Sequence, residues 1–343
     1  MKHALIFNAV TLLIILTAAC NHPLTLSRAT GMPYEIAVTM NKDIWDGVAG
    51  EAVRADLESE VPGLPQSEPS FRIMFATSEN FNSLLAYVRN ILIVNVDDRM
   101  YTTVNLLYER DRWAREQATV TLNAPDAQSA ADYLNLHKNE LSRFFSRIEM
   151  NRAIASLEKD YSKSVSDTLR EKFDIMMNVP SDLTFTRNNR KDFFWASNNA
   201  KSGRTDMIVY SFPYTDEQTF TGEYLTAKRD SVLKLNLPGA FPDSYMATET
   251  SFAGVSYSAI TVRNKYCGVL RGLWKMVGDM MGGPFVSHIR LDEANNRIIV
   301  VEGFVYAPET DKRNYIRRIE AALYTLRLPG EFDQPVAEPL KIK

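Results

Sequence analysis

Cysteine and histidine are scarce in this chain. Its 343 residues contain two cysteines and four histidines. Because Cys267 is the only thiol besides Cys20 near the N-terminus, no intrachain disulfide framework is expected, and stability must come from a hydrophobic core. The histidines form no His-Glu-x-x-His motif, and the cysteines do not have the spacing of metal ligands. The sequence therefore predicts no metal site and no cofactor.

A basic excess is also absent. The chain carries 39 lysines and arginines against 42 aspartates and glutamates, which gives a formal net charge of −3. Proteins that bind nucleic acids usually concentrate positive charge on one domain or one face. The composition therefore argues against nucleic acid as a partner. The length suffices for one large domain or two smaller ones.

Recognisable catalytic motifs are missing as well. There is no Gly-x-Ser-x-Gly elbow and no glycine-rich phosphate loop. Two Ser-x-x-Lys tetrads occur, at Ser156 and Ser231, but neither has a Lys-Thr-Gly or Ser-Asp-Asn partner. We predict no catalytic residue. An alternative remains open, a hydrolase of glycan or peptidoglycan that uses paired carboxylates, although the sequence selects no pair.

The N-terminus is typical of an exported protein. Lys2 and His3 precede an apolar run over residues 4–16, which is shorter than the ~20 residues that span a bilayer. Small residues lead to Cys20, so we predict a signal peptide over 1–19 and a lipidated tether over 20–30. The junction resembles a bacterial lipobox, although Leu16 lies one position before the usual place. The alternative is ordinary secretory cleavage, which would leave Cys20 unmodified.

Periodicity predicts an α+β fold. Alternating and β-rich segments predict strands at 33–40, 71–77, 90–96, 101–108, 119–123, 173–179, 192–196, 206–212, 248–262, 285–291 and 297–306. Helical spacing predicts helices at 45–61, 81–88, 217–235 and after Pro308. Between Pro125 and Pro180 it predicts one long helix or two in series, because neither glycine nor proline interrupts the segment.

The pattern repeats once along the chain. Ala-Pro-Asp at 124–126 and Ala-Pro-Glu at 307–309 both lead from a strand into a helix. We therefore predict two related α+β halves, strands with long packing helices, at 31–165 and 166–328, which arose by an internal duplication. The second half carries an insertion. The tail at 329–343 contains three prolines and is predicted to be loose.

Residues 267–288 form the least ordinary stretch of the chain. At 100° per residue, its Trp274 and its methionines fall on one side of a helix that ends at Gly-Gly-Pro. Core packing explains these side chains, and the alternative is a soft copper site formed by Met276, Met280, Met281, Cys267 and His288. Interior glycines cost roughly 1 kcal/mol each, so their face should contact another backbone, of this chain or of a partner. The candidate partner-binding residues are Arg271, Gly272, Lys275, Gly278, Asp279, Gly282, Gly283 and Pro284.

Several motifs resemble a family of Bacteroidetes lipoproteins known as a domain of unknown function, DUF4837. They lie at 31–35 (Gly-Met-Pro-Tyr-Glu), 61–66, 68–69, 89–90, 229–231, 244–246, 271–274, 281–286 and 304–308. The resemblance implies an envelope-anchored lipoprotein and supplies no activity or catalytic residue. The tether has no acidic run like the surface-export signal of such proteins. This favours the periplasmic side of the outer membrane.

Together these features predict a non-catalytic binding or scaffolding protein of the cell envelope. The membrane would be contacted through a lipid at Cys20, and the partner would be an envelope protein or a glycan.

Overall fold

The computed structural model describes residues 26–81, 83–252 and 254–336. The predicted signal peptide at 1–19, the lipidation at Cys20 and most of the tether lie outside the described residues. So does the end of the predicted tail, 337–343. Within the described part of the chain, no helix has both the length and the apolar character needed to cross a membrane.

The first half is built on a five-stranded sheet. Its strands are β1 (Glu35–Met40), β2 (Arg72–Thr77), β3 (Asn90–Val96), β4 (Asn105–Arg110) and β5 (Ala118–Ala124). Their order is β2-β1-β3-β5-β4. All neighbouring pairs are parallel except β4–β5, which is antiparallel. The amino ends of β1, β3 and β5 therefore lie at one edge of the sheet and their carboxyl ends at the other.

The helices of the first half are α1 (Lys42–Asp46), α2 (Val48–Leu57), α3 (Ser83–Ala86), α4 (Ala127–Leu136) and α5 (Glu140–Leu157). Helices α1, α2, α4 and α5 cover one face of the sheet, and Leu85 of α3 packs with Ala37 and Ile91 on the other face. Apolar residues of α2, α4 and α5 form the first core with β1, β3 and β5. The carboxylate of Asp126 caps α4 by accepting a hydrogen bond from the backbone N–H of Ser129 at 2.8 Å. The predicted helix after Pro125 is interrupted at Asn139, whose φ of 60° ends the helical path.

The second half is built on a larger antiparallel sheet. Its strands are β6 (Phe185–Arg190), β7 (Phe193–Ser197), β8 (Arg204–Pro213), β9 (Tyr245–Glu249), β10 (Ser256–Val262), β11 (Lys265–Val277), β12 (Gly282–Asp292) and β13 (Arg297–Tyr306). The order is β10-β11-β12-β13-β8-β7-β6, and β9 also pairs with β11. The helices are α6 (Lys163–Phe173), α7 (Gly222–Asn236) and α8 (Arg313–Leu323). Helices α6 and α8 contribute to the core on one face, and α7 to the core on the other.

Helix α5 belongs to both halves. Its first part places Leu141, Phe145 and Ile148 in the core of the first half. Its last part places Ile154 and Leu157 in the core of the second half. The two halves therefore share one buried helix, and α5 also packs against α8.

The α+β class and the division into two halves are confirmed. The sheets differ, since the first is mainly parallel and the second antiparallel, and a common origin of the halves stays a prediction. The predicted boundary at 165/166 falls inside α6. Val165, Leu169 and Phe173 of this helix all pack into the second core, so the second half begins with α6.

Two predicted elements are wrong. Residues 173–179 are not a regular strand, because this segment makes only an isolated bridge between Met176 and Arg327. Residues 268–281 are not a helix, because they form most of β11 and a turn into β12. Both faces of β11 are buried, since Leu270 and Trp274 point to one core and Cys267 and Val269 to the other. A strand that is buried on both sides lacks alternation, and its pattern then resembles a helical stripe.

The first part of the predicted loose tail is held in place. Arg263 donates hydrogen bonds to the carbonyl oxygens of Pro335 and Val336, at 2.9 and 2.8 Å. Arg290 donates to the buried carboxylate of Glu331 at 2.9 Å. Charge-assisted hydrogen bonds of this kind restrict the motion of the chain. Residues 329–336 therefore pack against the second half, although a proline-rich terminus was predicted to be loose.

Candidate functional site

The predicted partner-binding residues do not share a helix face. Arg271 forms an ion pair with the buried Glu320, at 3.0 Å between Nη1 and Oε2. Lys275 forms an ion pair with Glu249 at 3.2 Å. The others are distributed along one hairpin: Gly272 lies in β11, Gly278 and Asp279 in the turn, and Gly282, Gly283 and Pro284 in β12. Binding of a partner at these residues stays a prediction, but its basis, a glycine face on a helix, is wrong.

The glycines of this hairpin contact neighbouring parts of the same chain. A Cβ on Gly272 would lie 3.1 Å from the ring of Phe285. A Cβ on Gly283 would overlap the carbonyl oxygen of Val305, so β13 passes directly beside this glycine. Glycine inside a strand often marks such a close approach, which accounts for these two positions.

The residues considered for copper are not arranged as ligands. Cys267 and His288 are buried, whereas Met280 is 99% exposed at the hairpin turn. Burial raises the pKa of the Cys267 thiol to about 12 and lowers the pKa of the His288 imidazole to about 4. No group of three or more histidine, cysteine, aspartate or glutamate side chains in the described residues could hold a metal ion.

A groove along α5 is the best candidate for a functional site. It consists of two adjoining cavities of about 790 and 440 Å³, whose shared lining residues include Arg28, Arg152 and Asp160. One wall comes from the amino edge of the first sheet, and the smaller cavity also reaches α8 of the second half. Ligand sites occur preferentially between domains, so we call this feature the interdomain groove.

The lining of the interdomain groove is cationic. Its basic residues are Arg28, Arg89, Arg110, Arg115, Arg152, Lys159, Arg317 and Arg318, and its acidic residues are Asp111, Glu116, Glu149 and Asp160. Eight positive side chains thus face four negative ones, although the whole chain has a net charge of −3. Such a concentration of one sign in a cleft attracts ligands of the opposite sign.

Two arginines share one carboxylate at the centre of the groove. Arg89 Nε lies 2.9 Å and Arg152 Nη1 2.7 Å from the same oxygen, Oε1 of the buried Glu149. The carboxamide of Asn90 donates to this oxygen at 2.7 Å and accepts from Arg152 at 2.8 Å. Burial and the charge of Arg89 lower the pKa of Arg152 to about 10, against the opposing effect of Glu149. Among the described residues, Glu149 is the only carboxylate within ion-pair distance of these two arginines, so two positive charges share one negative charge.

Two other buried arginines are each paired with a buried carboxylate. Arg229 and Glu302 are both fully buried and lie 2.8 Å apart, and Ser287 donates a further hydrogen bond to that carboxylate. Arg290 and Glu331 form a second pair of this kind. Burial of a charge is costly unless it is paired, so the excess charge beside Glu149 distinguishes the groove from these structural pairs.

The rim of the larger cavity carries free cations. Arg110, Arg115 and Lys159 are exposed, and their side chains have no hydrogen-bond or ion-pair partner among the residues that the structure describes. Ser156 and Lys159, one of the two Ser-x-x-Lys tetrads, both line this cavity. In the described part of the chain only a backbone hydrogen bond, from the N–H of Lys159 to the carbonyl oxygen of Ser156, joins them, so the side-chain contact that would activate a serine is missing.

The carboxylates most affected by burial lie elsewhere. Burial raises the pKa of Asp56, which accepts a hydrogen bond from the backbone of Ser142. It also raises the pKa of Asp206, which is held by Trp195 and Arg204. Neither residue lines the interdomain groove. The geometry of the groove gives no support to the predicted alternative of a hydrolase with paired carboxylates.

Sequence reasoning did not find this groove. Arg89, Arg152 and Arg317 are far apart in the chain and meet only because α5 packs between the sheet of the first half and α8. The one available signal was Arg89-Asn90, a polar pair at the start of a buried strand, which the family resemblance included.

Comparison with known families agrees with the two halves. Residues 162–325 match the model of a domain of unknown function (DUF4837), which confirms the predicted resemblance over this range. Residues 29–158 match the model of a second domain of unknown function (DUF8532), and the motifs at 31–35, 61–66 and 89–90 lie in that range. No curated protein matches the chain.

Proposed function

We propose that this chain, whose residues 162–325 belong to the DUF4837 family, is a lipid-anchored envelope protein that binds an anionic glycan in the interdomain groove without catalysing a reaction. The anchor is Cys20, and the protein faces the periplasm from the outer membrane. The observation that carries the binding proposal is the centre of the groove, where Arg89 and Arg152 share the single carboxylate of Glu149.

An anionic ligand is favoured by the energetics of this centre. A partly buried guanidinium without its own carboxylate raises the free energy of the empty groove. A carboxylate or phosphate group of a ligand would supply the missing negative charge, and arginine binds such groups with two parallel hydrogen bonds. The free cations at the rim, Arg110, Arg115 and Lys159, would extend the attraction along a polymer.

The position of the tether supports a role at an envelope surface. Arg28, close to the first described residue, lines both cavities and is joined to Glu116 at 2.8 Å. The eight residues from Cys20 to Ser27 span at most ~29 Å when extended. A lipid on Cys20 would therefore keep the groove within reach of the membrane surface and of the glycans attached to it.

The binding proposal is tested with dextran sulfate as the anionic glycan and neutral dextran as its uncharged counterpart. We expect the protein to bind dextran sulfate with an affinity that falls as salt is added, and we expect no detectable binding of neutral dextran. A variant with Arg110→Gln, Arg115→Gln and Lys159→Gln should bind at least tenfold more weakly, since each surface charge contributes up to about 1 kcal/mol.

The matched control removes the same charge elsewhere. Lys138, Lys191 and Lys201 are exposed, lie outside both cavities and have no partner among the described residues. Their triple change to glutamine should leave the affinity nearly unchanged. Equal loss in both triple variants would show that net charge alone drives binding and would overturn the proposed site. Turnover of peptidoglycan by the purified protein would overturn the non-catalytic role.

The anchor is tested separately. A Cys20→Ala variant, expressed in a bacterium that processes lipoproteins, should lose incorporation of labelled palmitate and move from the outer-membrane fraction to the soluble periplasmic fraction. Retention of the label and of the membrane location in this variant would contradict the proposed lipidation site.

A further inference from the structure

A separate, smaller cavity lies at the opposite edge of the first sheet from the interdomain groove. It has a volume of about 250 Å³ and is lined by residues that follow the carboxyl ends of three parallel strands, among them Asn41 after β1, Ser78 after β2 and Asp97 after β3. The interdomain groove lies at the amino edge, where Arg89 precedes β3. The two sites are therefore separated by the length of the sheet, and we call this cavity the strand-end crevice.

The crevice lies where the strand order of the sheet changes direction. From β1 the chain passes through α1 and α2 to β2 on one side, and then returns to β3 on the other side of β1. The carboxyl ends of β1 and β3 thus have connections that leave in opposite directions. In open sheets of parallel strands, ligands bind at the carboxyl ends beside such a switch point.

Three side chains of the crevice have no partner. Asn41, Ser78 and Tyr101 line the cavity, and no hydrogen bond or ion pair engages their side chains among the described residues. Each can both donate and accept hydrogen bonds. Asn41 precedes α1 but makes no capping bond to it, so its carboxamide is available to a ligand.

A row of three hydrogen-bonded asparagines orients a further hydrogen-bond acceptor, the side-chain oxygen of Asn95, in the crevice. Asn95 Nδ2 donates to Asn123 Oδ1 at 2.9 Å, and Asn123 Nδ2 donates to Asn105 Oδ1 at 3.0 Å. The three carboxamides run across β3, β5 and β4 and orient one another. Asn95 lines the crevice, and this orientation leaves its Oδ1 free to accept a hydrogen bond from a ligand.

The crevice is electrically neutral. Its only acidic residue is Asp97, and both of its carboxylate oxygens accept hydrogen bonds from the side chain of Arg99 at 3.2 Å. The remaining lining includes Ile44 and Val94, whose side chains pack in or against the first core. The surface of the crevice therefore offers mainly amide and hydroxyl groups, and its one acidic group is paired.

We propose that the strand-end crevice binds a single neutral sugar residue. Sugar hydroxyls act as donors and acceptors, which matches the free groups of Asn41, Ser78, Asn95 and Tyr101. The volume is below the roughly 300–1,000 Å³ of sites for drug-sized ligands, so one ring is the appropriate size. This site is distinct from the interdomain groove and does not depend on the proposed binding there.

The proposal is tested by nuclear magnetic resonance on the protein with the side-chain amides labelled. The probes are glucose, galactose, mannose and N-acetylglucosamine, added one at a time. We expect at least one sugar to shift the amide signals of Asn41 and Asn95 in a saturable manner. An Asn41→Ala, Tyr101→Phe variant should bind that sugar about tenfold more weakly, because two hydrogen bonds are lost.

An Asn135→Ala variant is the matched control. Asn135 is exposed on α4, outside the crevice, and its side chain has no partner among the described residues. This change should leave sugar binding unaltered. The proposal is overturned if none of the four sugars shifts the crevice signals, or if both variants lose affinity equally. Stronger perturbation of the crevice by inorganic phosphate than by any sugar would also overturn it.

Discussion

Glu149 is the residue on which the charge balance of the interdomain groove depends. It is almost fully buried, and among the described residues it is the only carboxylate within ion-pair distance of the guanidinium groups of Arg89 and Arg152. Removing one member of a buried ion pair costs more than the pair contributes, because the remaining charge stays buried without a partner. Two such charges would remain here.

We therefore expect Glu149→Gln to lower the free energy of unfolding by about 3 kcal/mol, measured by urea denaturation. The control is Glu171→Gln, an exposed residue of α6 without a partner among the described residues, which should change stability by less than about 0.5 kcal/mol. A similar small effect at both positions would mean that the two arginines are compensated by solvent.

His288 should give the stability a specific dependence on pH. It is fully buried against the ring of Tyr324, and burial, together with Arg271 and Arg290, lowers its pKa to about 4 against the opposing effect of Glu320. The unfolded chain takes up a proton near pH 6.5, whereas the folded chain does so only near pH 4. The unfolded state therefore binds more protons in this window, and stability falls as the pH falls through it.

The expected loss from His288 between pH 6.5 and pH 4 is about 3 kcal/mol. Because many carboxylates also titrate in this range, the measurement compares the wild type with His288→Gln, which carries no proton-binding group. The wild-type curve of unfolding free energy against pH should be steeper by that amount. Parallel curves would show that the imidazole is protonated in the folded protein.

At the level of elements, the sequence predicted the strands better than the connections. Segments 90–96 and 297–306 are the observed β3 and β13, since each is a mainly apolar run of strand length that is rich in valine and isoleucine. The prediction of a helix at β11 is wrong because apolar residues on both faces of this strand produce a helix-like stripe, whereas the strand predicted at 285–291 lies within β12. The glycines of the hairpin favour a strand instead, because Gly272 and Gly283 lie where Phe285 and the backbone of Val305 come close to the chain.

The groove and the crevice could not be predicted in the same way. Each gathers residues that are separated along the chain, such as Arg89 with Arg317, or Asn41 with Asn95. Periodicity reports which face of an element is buried, but it does not report which elements become neighbours. The strand order and the position of α5 supply that information.

The close packing of α8 on β13 can be tested at Gly303. A Cβ on Gly303 would lie 2.6 Å from two carbons of Ile319, so any side chain here would push α8 away from the sheet. We expect Gly303→Ala to lower the unfolding free energy by about 1–3 kcal/mol, measured by thermal or urea unfolding. The control is Gly254→Ala, where a Cβ would meet nothing within 4 Å. Gly303→Ala with wild-type stability would contradict this packing.

For the whole molecule, the shared helix should make unfolding cooperative. The core of each half is completed by side chains of α5, and the carboxamide of Asn178 in the second half donates to the carbonyl oxygen of Leu157 at 2.7 Å. Neither half can lose its structure without exposing one end of this helix. The two families that match the halves therefore describe parts of one folding unit.

We expect calorimetry of residues 20–343 to show one transition, with equal calorimetric and van 't Hoff enthalpies. An Ile154→Ala variant should lower the temperature of this single transition, because a buried side chain of α5 is truncated. Two separate transitions, of which only one responds to Ile154→Ala, would show that the halves unfold independently.

Strand β3 has a consequence for how many ligands the molecule can hold at one time. Its seven residues run from Asn90, beside Arg89 and the groove, to Val96, beside the crevice, a distance of about 20 Å. A strand in the middle of a sheet is a rigid spacer, so occupants of the two sites would stay at a fixed separation. A chain tethered near Arg28 would present its charged site toward its anchor and its neutral site away from it. If both proposed sites and the proposed anchor are correct, such a molecule would join two different ligands, one close to the membrane and one farther out, and a polymer long enough to reach both sites would gain from avidity.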